Sequence, residues 1–345
     1  MTIDDAARAI RLLEELVVIP SVTGAEGPVL DFLAGRFESR GLTVDSQEVS
    51  PGRRNIFIHR GNAQVVFMTH ADTVPPFFPP RRSGGALSAR GACDAKGSLA
   101  AQTIAFEDLV REGKEVGLLV LVGEERGSDG AIAANREPRG SRFLVCGEPT
   151  GNRFVAGSKG CLRIRIETRG VAGHSSISGS GRSAVPPMLD FLEALRRCEF
   201  PQDRVFGDTT MNIGILKAGT AANVIADSAR AEVIFRTGES VEDVLSRVRT
   251  FAPPEAELEV PYRSEPILFR VPQREPAGEI VSFACDLPLM PAWGEPILVG
   301  PGSILEAHRA DEKVQLAEIE EAVEVYRTLA QGLLSEGETC LRPRS

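Results

Sequence analysis

The sequence predicts an α/β protein: a mostly parallel sheet with helices on both faces, interrupted by a smaller inserted α/β domain with an antiparallel sheet. Three observations lead there. Short apolar runs without alternation, "NIFIHR", "VVFMT", "GLLVLVG", "RFLVCG" and much later "PILVG", recur along the chain and suit central parallel strands covered on both sides. Helix-like stretches separate them, as crossover connections require. The middle of the chain instead alternates apolar with charged residues, as strands with one wet face do.

Taken in order, Ile10, Leu13 and Val17, with Leu12 and Leu16 beside them, form a helical stripe that Pro20 ends. Val29, Leu30, Leu33 and Phe37 form a second, stopped at Gly41. The apolar runs then begin, with Leu99 to Val110 as a crossover helix. "CLRIRIETRG", "TTMNIGILKAG" and "SARAEVIFRTG" carry the alternating pattern, and helical segments near 188–197 and 241–250 interleave with them. This places a catalytic domain's first part at 1–159, the insert at 160–267 and the second part at 268–345. A closing helix is expected from Asp311 to Leu334, and no internal repeat is evident.

Composition narrows the function. With 42% hydrophobic and 25% charged residues, the 345-residue chain has material for a packed interior and no signature of disorder. The balance of 39 basic against 48 acidic residues, −9, argues against a general nucleic-acid or anionic-membrane surface and favours small-molecule partners. The opening "MTIDDAARAIRLLEEL" reads as an amphipathic helix and not as a signal peptide. No run approaches the roughly 18 apolar residues of a membrane span. Six scattered cysteines without a CxxC pair favour free thiols in a reducing cytoplasm.

Ligands of open parallel sheets sit beyond the carboxyl ends of the strands. There the chain offers His70 and Asp72 after "VVFMT", Glu124 and Glu125 after "GLLVLVG", Glu148 after "RFLVCG" and His308 after "PILVG", with Asp94 in the loop "GACDAKG". So many acids at one rim repel one another unless cations neutralise them. Imidazole and carboxylate donors without thiolate suit zinc, with cobalt or manganese as substitutes. The donors are too many for one tetrahedral ion, whereas two ions sharing a bridging carboxylate use them. Asp72 then accepts the free ring N–H of His70 and fixes its tautomer.

The motifs "HADTVP", "GACDAKG", "GEERGSDGA", "GEPT", "GVAGHSS" and "GPGSILEAHRADEKV" stand in the order found in the dinuclear zinc aminoacylases and exopeptidases. That family includes acetylornithine deacetylase, succinyl-diaminopimelate desuccinylase and carboxypeptidase G. The resemblance runs from the first helix to the last, and the closing motif looks most like acetylornithine deacetylase and the related hydrolase that frees lysine or ornithine from a carrier protein. It implies that His70 and Glu148 bind one ion, that Glu125 and His308 bind the other, and that Asp94 bridges them. Glu124 is then the general base, which agrees with the need for one unligated carboxylate; the alternative is that both glutamates ligate. The resemblance further implies that His174 reaches the partner subunit's site and donates to the oxyanion, making a homodimer through the lid domain. It suggests Arg236 as a fork for the substrate carboxylate, with Asn223, Gly302 and Ser303 as further contacts; Lys159 in "GSKG" is another candidate.

The expected activity is zinc-dependent removal of an acyl group from a small N-acyl amino acid, with N-acetyl-L-ornithine favoured. Carrier-protein hydrolysis, desuccinylation and dipeptide cleavage are the alternatives within the class, and a metal-dependent binding protein without turnover is the alternative outside it. Two departures stand out: "SISGSGRSAVPP" has Arg182 and Ser183 where relatives often carry an asparagine, and Cys93 precedes Asp94. Cys93 reads as a small packing residue. A cysteine hydrolase on Cys93 or Cys146 lacks an obvious base and orienter.

Overall fold

Val65–His70, Val116–Leu121 and Phe143–Cys146 are buried at every position, which is why their sequences are apolar without alternation. The computed structural model describes residues 3–272, 275, 276 and 278–340. The chain divides into two compact units, Met1–Ala156 with Leu268–Glu279 and Cys285–Ser345, and Gly157–Ile267 with Ile280–Ala284.

The first unit holds a six-stranded sheet in the order Thr43–Ser50, Arg53–His59, Val116–Leu121, Val65–His70, Phe143–Cys146, Glu295–Leu298. The last four run parallel. Arg53–His59, expected among the parallel strands, is antiparallel to Val116–Leu121 and forms a hairpin with Thr43–Ser50. Its apolar run reports burial and carries no information on direction. The polar strand Thr43–Ser50, with no fully buried residue, gives no apolar signal at all.

Helix Lys96–Arg111 supplies the crossover and buries nearly its whole surface; the opening helix Ile3–Val17 and the closing helix Leu316–Cys340 pack against it. The closing helix starts later than expected because Lys313–Gln315 is a short strand pairing with Ala86–Ser88. At Gly147 an added Cβ would come within 2.7 Å of Ser98 and Gln102, so glycine lets the end of Phe143–Cys146 approach the crossover helix.

The second unit is an antiparallel sheet in the order Thr210–Ala218, Ser228–Thr237, Gly160–Arg169, Glu257–Ser264. Leu162, Ile164, Ile166, Val233 and Phe235 pack with Met188, Phe191, Val244 and Val248 of helices Val185–Arg197 and Val241–Phe251. On the opposite face Arg165 pairs with the buried Glu232 and the exposed Glu259. This unit also takes in Gly157–Lys159 and the return at Ile280–Ala284. Ile280–Val281 pairs in parallel with Gly157–Ser158 there, in strands of two residues that no sequence pattern announces.

Candidate metal centre and active site

In the first unit the ends of the parallel strands bring acids and imidazoles together. His70 closes Val65–His70; Glu124 and Glu125 form a turn just past Val116–Leu121; Glu148 follows Phe143–Cys146. Asp94 stands at the entrance to helix Lys96–Arg111, joined to Ala95 by a cis peptide bond. The loop after Glu295–Leu298 delivers His308, whose φ of 61° is left-handed. Two triads result, each with ligand atoms within 4.8 Å of one another: His70, Asp94 and Glu148, and Asp94, Glu125 and His308. Asp94 is common to both, and Glu124 belongs to neither.

The contacts define how each group is aimed. His70 Nε2 lies 3.1 Å from Asp94 Oδ1, and His308 Nε2 lies 3.3 Å from Asp94 Oδ2 and 2.9 Å from Glu125 Oε2. The two oxygens of Asp94 therefore face different imidazoles. His70 Nδ1 is turned to Asp72, 2.9 Å from its backbone oxygen and 3.4 Å from its carboxylate. The nearer partner is the carbonyl and not the expected carboxylate. That carboxylate is occupied in bracing the glutamate turn: Oδ1 accepts from Glu124 N at 3.1 Å, and Oδ2 from Glu125 N at 3.2 Å and Thr23 Oγ1 at 2.7 Å.

Electrostatics tests whether cations fit. Burial pulls the His70 ring down, but Asp72 and Asp94, with Glu148 and Glu124, outweigh it and hold the ring well above its usual value. Asp94 and then Glu125 raise His308 to about 10. Burial would raise Asp94, yet His308 and His70 keep its carboxyl below the usual range. Glu124 and Glu148 are pushed well above it, by burial first. Acids that draw protons onto both imidazoles draw divalent cations by the same attraction, and the N,O donor set is one such ions accept. The residues fit a pair of metal ions.

Several braces carry no sequence signal of their own. Glu312, fully buried, accepts from the backbone N–H of Cys93 and of Asp94, each at 3.0 Å, and binds Arg90 Nη1 at 2.7 Å. Lys96, also buried, donates to the carbonyls of Leu16 and Ile19 at 3.1 and 2.7 Å. Asp286 is buried with neither carboxyl oxygen hydrogen-bonded. Burial pushes the Asp286 carboxyl up to about 7, against the opposing effects of the Ser128 hydroxyl and His70. Glu312 lay within a quoted motif but only its pairing through Lys313–Gln315 reveals its role.

Gly302 has φ 83°, and an added Cβ would come within 2.6 Å of Cys93 Sγ, so the loop can carry no side chain there. Ser303 Oγ accepts from Leu305 N at 3.3 Å, and its carbonyl accepts from Glu306 N at 2.8 Å and Cys93 Sγ at 3.3 Å. This is turn chemistry. Burial raises the Cys93 thiol well above its ordinary range, in keeping with a packing residue.

The other four expected residues lie in the second unit. His174 is exposed, bridges to Val224 and has Nδ1 2.7 Å from Ser176 Oγ. Asn223 precedes the bridge partner Val224, and its backbone carbonyl accepts from Ser175 N at 3.1 Å. Arg236 sits on Ser228–Thr237 opposite Cys161 and Thr210, with a buried Nη1 that has no hydrogen-bond partner. Lys159 donates to the carbonyl of Asp208, so its ammonium is engaged within the unit.

The peptidase dimerisation domain pattern of the M20 family matches residues 156–259. A fission yeast protein, Schizosaccharomyces pombe, described as M20 peptidase domain-containing, is 35% identical over 335 residues, covering 93% of this chain and 83% of that one. The chain belongs to the M20 peptidase family. Membership makes it a metal-dependent hydrolase of amide bonds. An Aspergillus clavatus protein named as a probable carboxypeptidase is 32% identical over 363 residues, covering 93% and 88%. The fold matches an M20 metallo-carboxypeptidase from Sulfolobus solfataricus with a TM-score of 0.75 at 15% identity, covering 94% and 99%. No described helix of this M20 chain is long and apolar enough to cross a membrane.

Proposed function

We propose that this M20 protein hydrolyses a linear amide beside a free α-carboxylate, in a small N-acyl amino acid or a short peptide, with two divalent cations, zinc by preference. The observation that carries the reading is Asp94 shared between two triads while Glu124 stands outside both. In this reading His70 and Glu148 hold one ion, Glu125 and His308 the other, and Asp94 both. Ions held by these residues would lower the proton affinity of the attacking water and polarise the scissile carbonyl. Glu124 takes the proton and passes it to the leaving amine, a role suited to a carboxylate whose proton affinity burial has raised.

Arg236 is the candidate for the substrate carboxylate, since its Nη1 is buried without a partner. His174, acting from a partner subunit, donates to the oxyanion in a homodimer; the dimerisation-domain match supports this pairing. N-acetyl-L-ornithine is the substrate the motifs resemble, and the names of the fungal relatives support a short peptide cleaved at its carboxyl end. Both present the same carboxylate. The cytoplasmic setting expected from scattered thiols belongs to the same reading.

A hydrolysis panel on zinc-loaded protein tests it: N-acetylornithine, N-acetyllysine, succinyl-diaminopimelate, short peptides with free or amidated carboxyl ends, and acylated carrier protein. Turnover of free-carboxylate substrates with at least tenfold loss on amidation is expected. Indifference to the carboxylate, or no turnover after loading with zinc, cobalt or manganese, overturns the reading.

A further inference from the structure

Asp286 opens a short turn, Leu287–Leu289, that packs against helix Asp129–Ala134. The residue preceding that helix is Ser128, held at φ 58°, whose N–H donates to Gly123 O at 2.7 Å and closes the turn bearing Glu124 and Glu125. Asp286 thus adjoins the turn that presents the base and a ligand. Its side chain is about 1% exposed, and neither oxygen has a hydrogen-bond partner among the described residues.

A buried carboxylate without a partner is strongly destabilising, and proteins keep one where a cation balances it. Apart from burial itself and the nearby Ser128 hydroxyl, the groups acting most on Asp286 are His70, which favours the charge, and Asp72 and Asp129, which oppose it. Asp286 in turn weighs on Glu124 more than Glu125 or Asp94 does. No lysine or arginine bonds to it among the described residues. Divalent cations held in the two triads would supply the balance.

We propose that Asp286 is an outer carboxylate of the metal centre: a charge-balancing residue that ligates no ion but whose unmatched buried charge raises the affinity of the site for its cations. The inference rests on the dinuclear reading above. Removing the charge relieves the ion-free protein and weakens the loaded one, opposite effects that a merely structural residue does not produce.

The test compares wild type with Asp286→Asn, both stripped of metal, at pH 8. Ion-free D286N should unfold about 2–4 °C above ion-free wild type. Its zinc affinity, measured by competition with a chromophoric chelator, should fall roughly 10- to 100-fold. Unchanged zinc affinity overturns the inference, as does an ion-free D286N that is less stable than wild type or fails to fold. A wild type that binds no zinc overturns the dinuclear reading itself, so the two failures are distinguishable.

Discussion

Glu312 and Asp94 stand 218 positions apart, yet Glu312 Oε1 accepts the Asp94 backbone N–H at 3.0 Å while its other oxygen holds Arg90. Glu312→Ala deprives the buried Arg90 of its carboxylate, leaving it the Pro76 carbonyl, and leaves the Cys93 and Asp94 backbone N–H groups without their acceptor, a loss of about 3–5 kcal/mol. Glu312→Gln keeps an acceptor and should cost less. Urea unfolding of both variants checks this, and an alanine variant within about 1 kcal/mol of wild type would remove Glu312 as the brace of the Asp94 loop.

Glu124 lies outside both triads. Glu124→Gln should retain two metals per chain by elemental analysis and lose roughly 10²–10⁴ in kcat, the range ascribed to a positioned acid–base group. Loss of metal along with activity would instead make Glu124 a ligand.

Dialysis against a chelator should abolish hydrolysis, and zinc or cobalt should restore it. Because the triads form only in the folded chain, zinc at about 100 times its dissociation constant should raise stability by roughly 2.7 kcal/mol per site. Activity that survives chelation with no change in unfolding midpoint would count against the metal mechanism.

Lys96 gives a pH signature. Burial pushes its ammonium from 10.5 down to about 7, with Glu312 opposing. Between those values the unfolded chain holds a proton that the folded chain has released, so this group makes stability rise with pH, by up to about 1.4 kcal/mol per unit. The penalty is fully present below pH 7 and gone above 10.5. The stability difference between wild type and Lys96→Met should therefore move in favour of wild type from pH 7 to pH 10; a flat difference would mean an ordinary lysine.

Mixing inactive His174→Ala with inactive Glu124→Ala should recover some activity if the histidine serves a partner's site, given subunit exchange. No recovery in mixed dimers verified by tag pull-down would place its action within one chain.

What could be read in advance follows from how far each signal reaches along the chain. The fully buried runs mark where parallel strands end, and the residues at or just past those ends, His70, Glu124, Glu125 and Glu148, can be gathered from that rule alone. The direction of Arg53–His59 is not legible, because a buried strand looks alike in either sense. Thr23, Glu312 and Asp286 carry no local signal, because each acts on a segment remote in sequence, through a register that composition does not encode. Lys96 is adjacent to the site but reads as an ordinary helix residue until its carbonyl partners are known. Substrate choice stayed open because contacts such as Arg236 depend on which polar atoms are left unpaired after folding.

The arrangement of the two triads also bears on synthesis. A growing polypeptide displays His70, Asp94 and Glu148 well before the ribosome reaches His308 and Glu312, and at about 5–20 residues per second that interval lasts many seconds. For that time the nascent chain carries the first triad without Glu312, whose carboxylate accepts the Asp94 N–H, and the second triad closes only after His308 has been made.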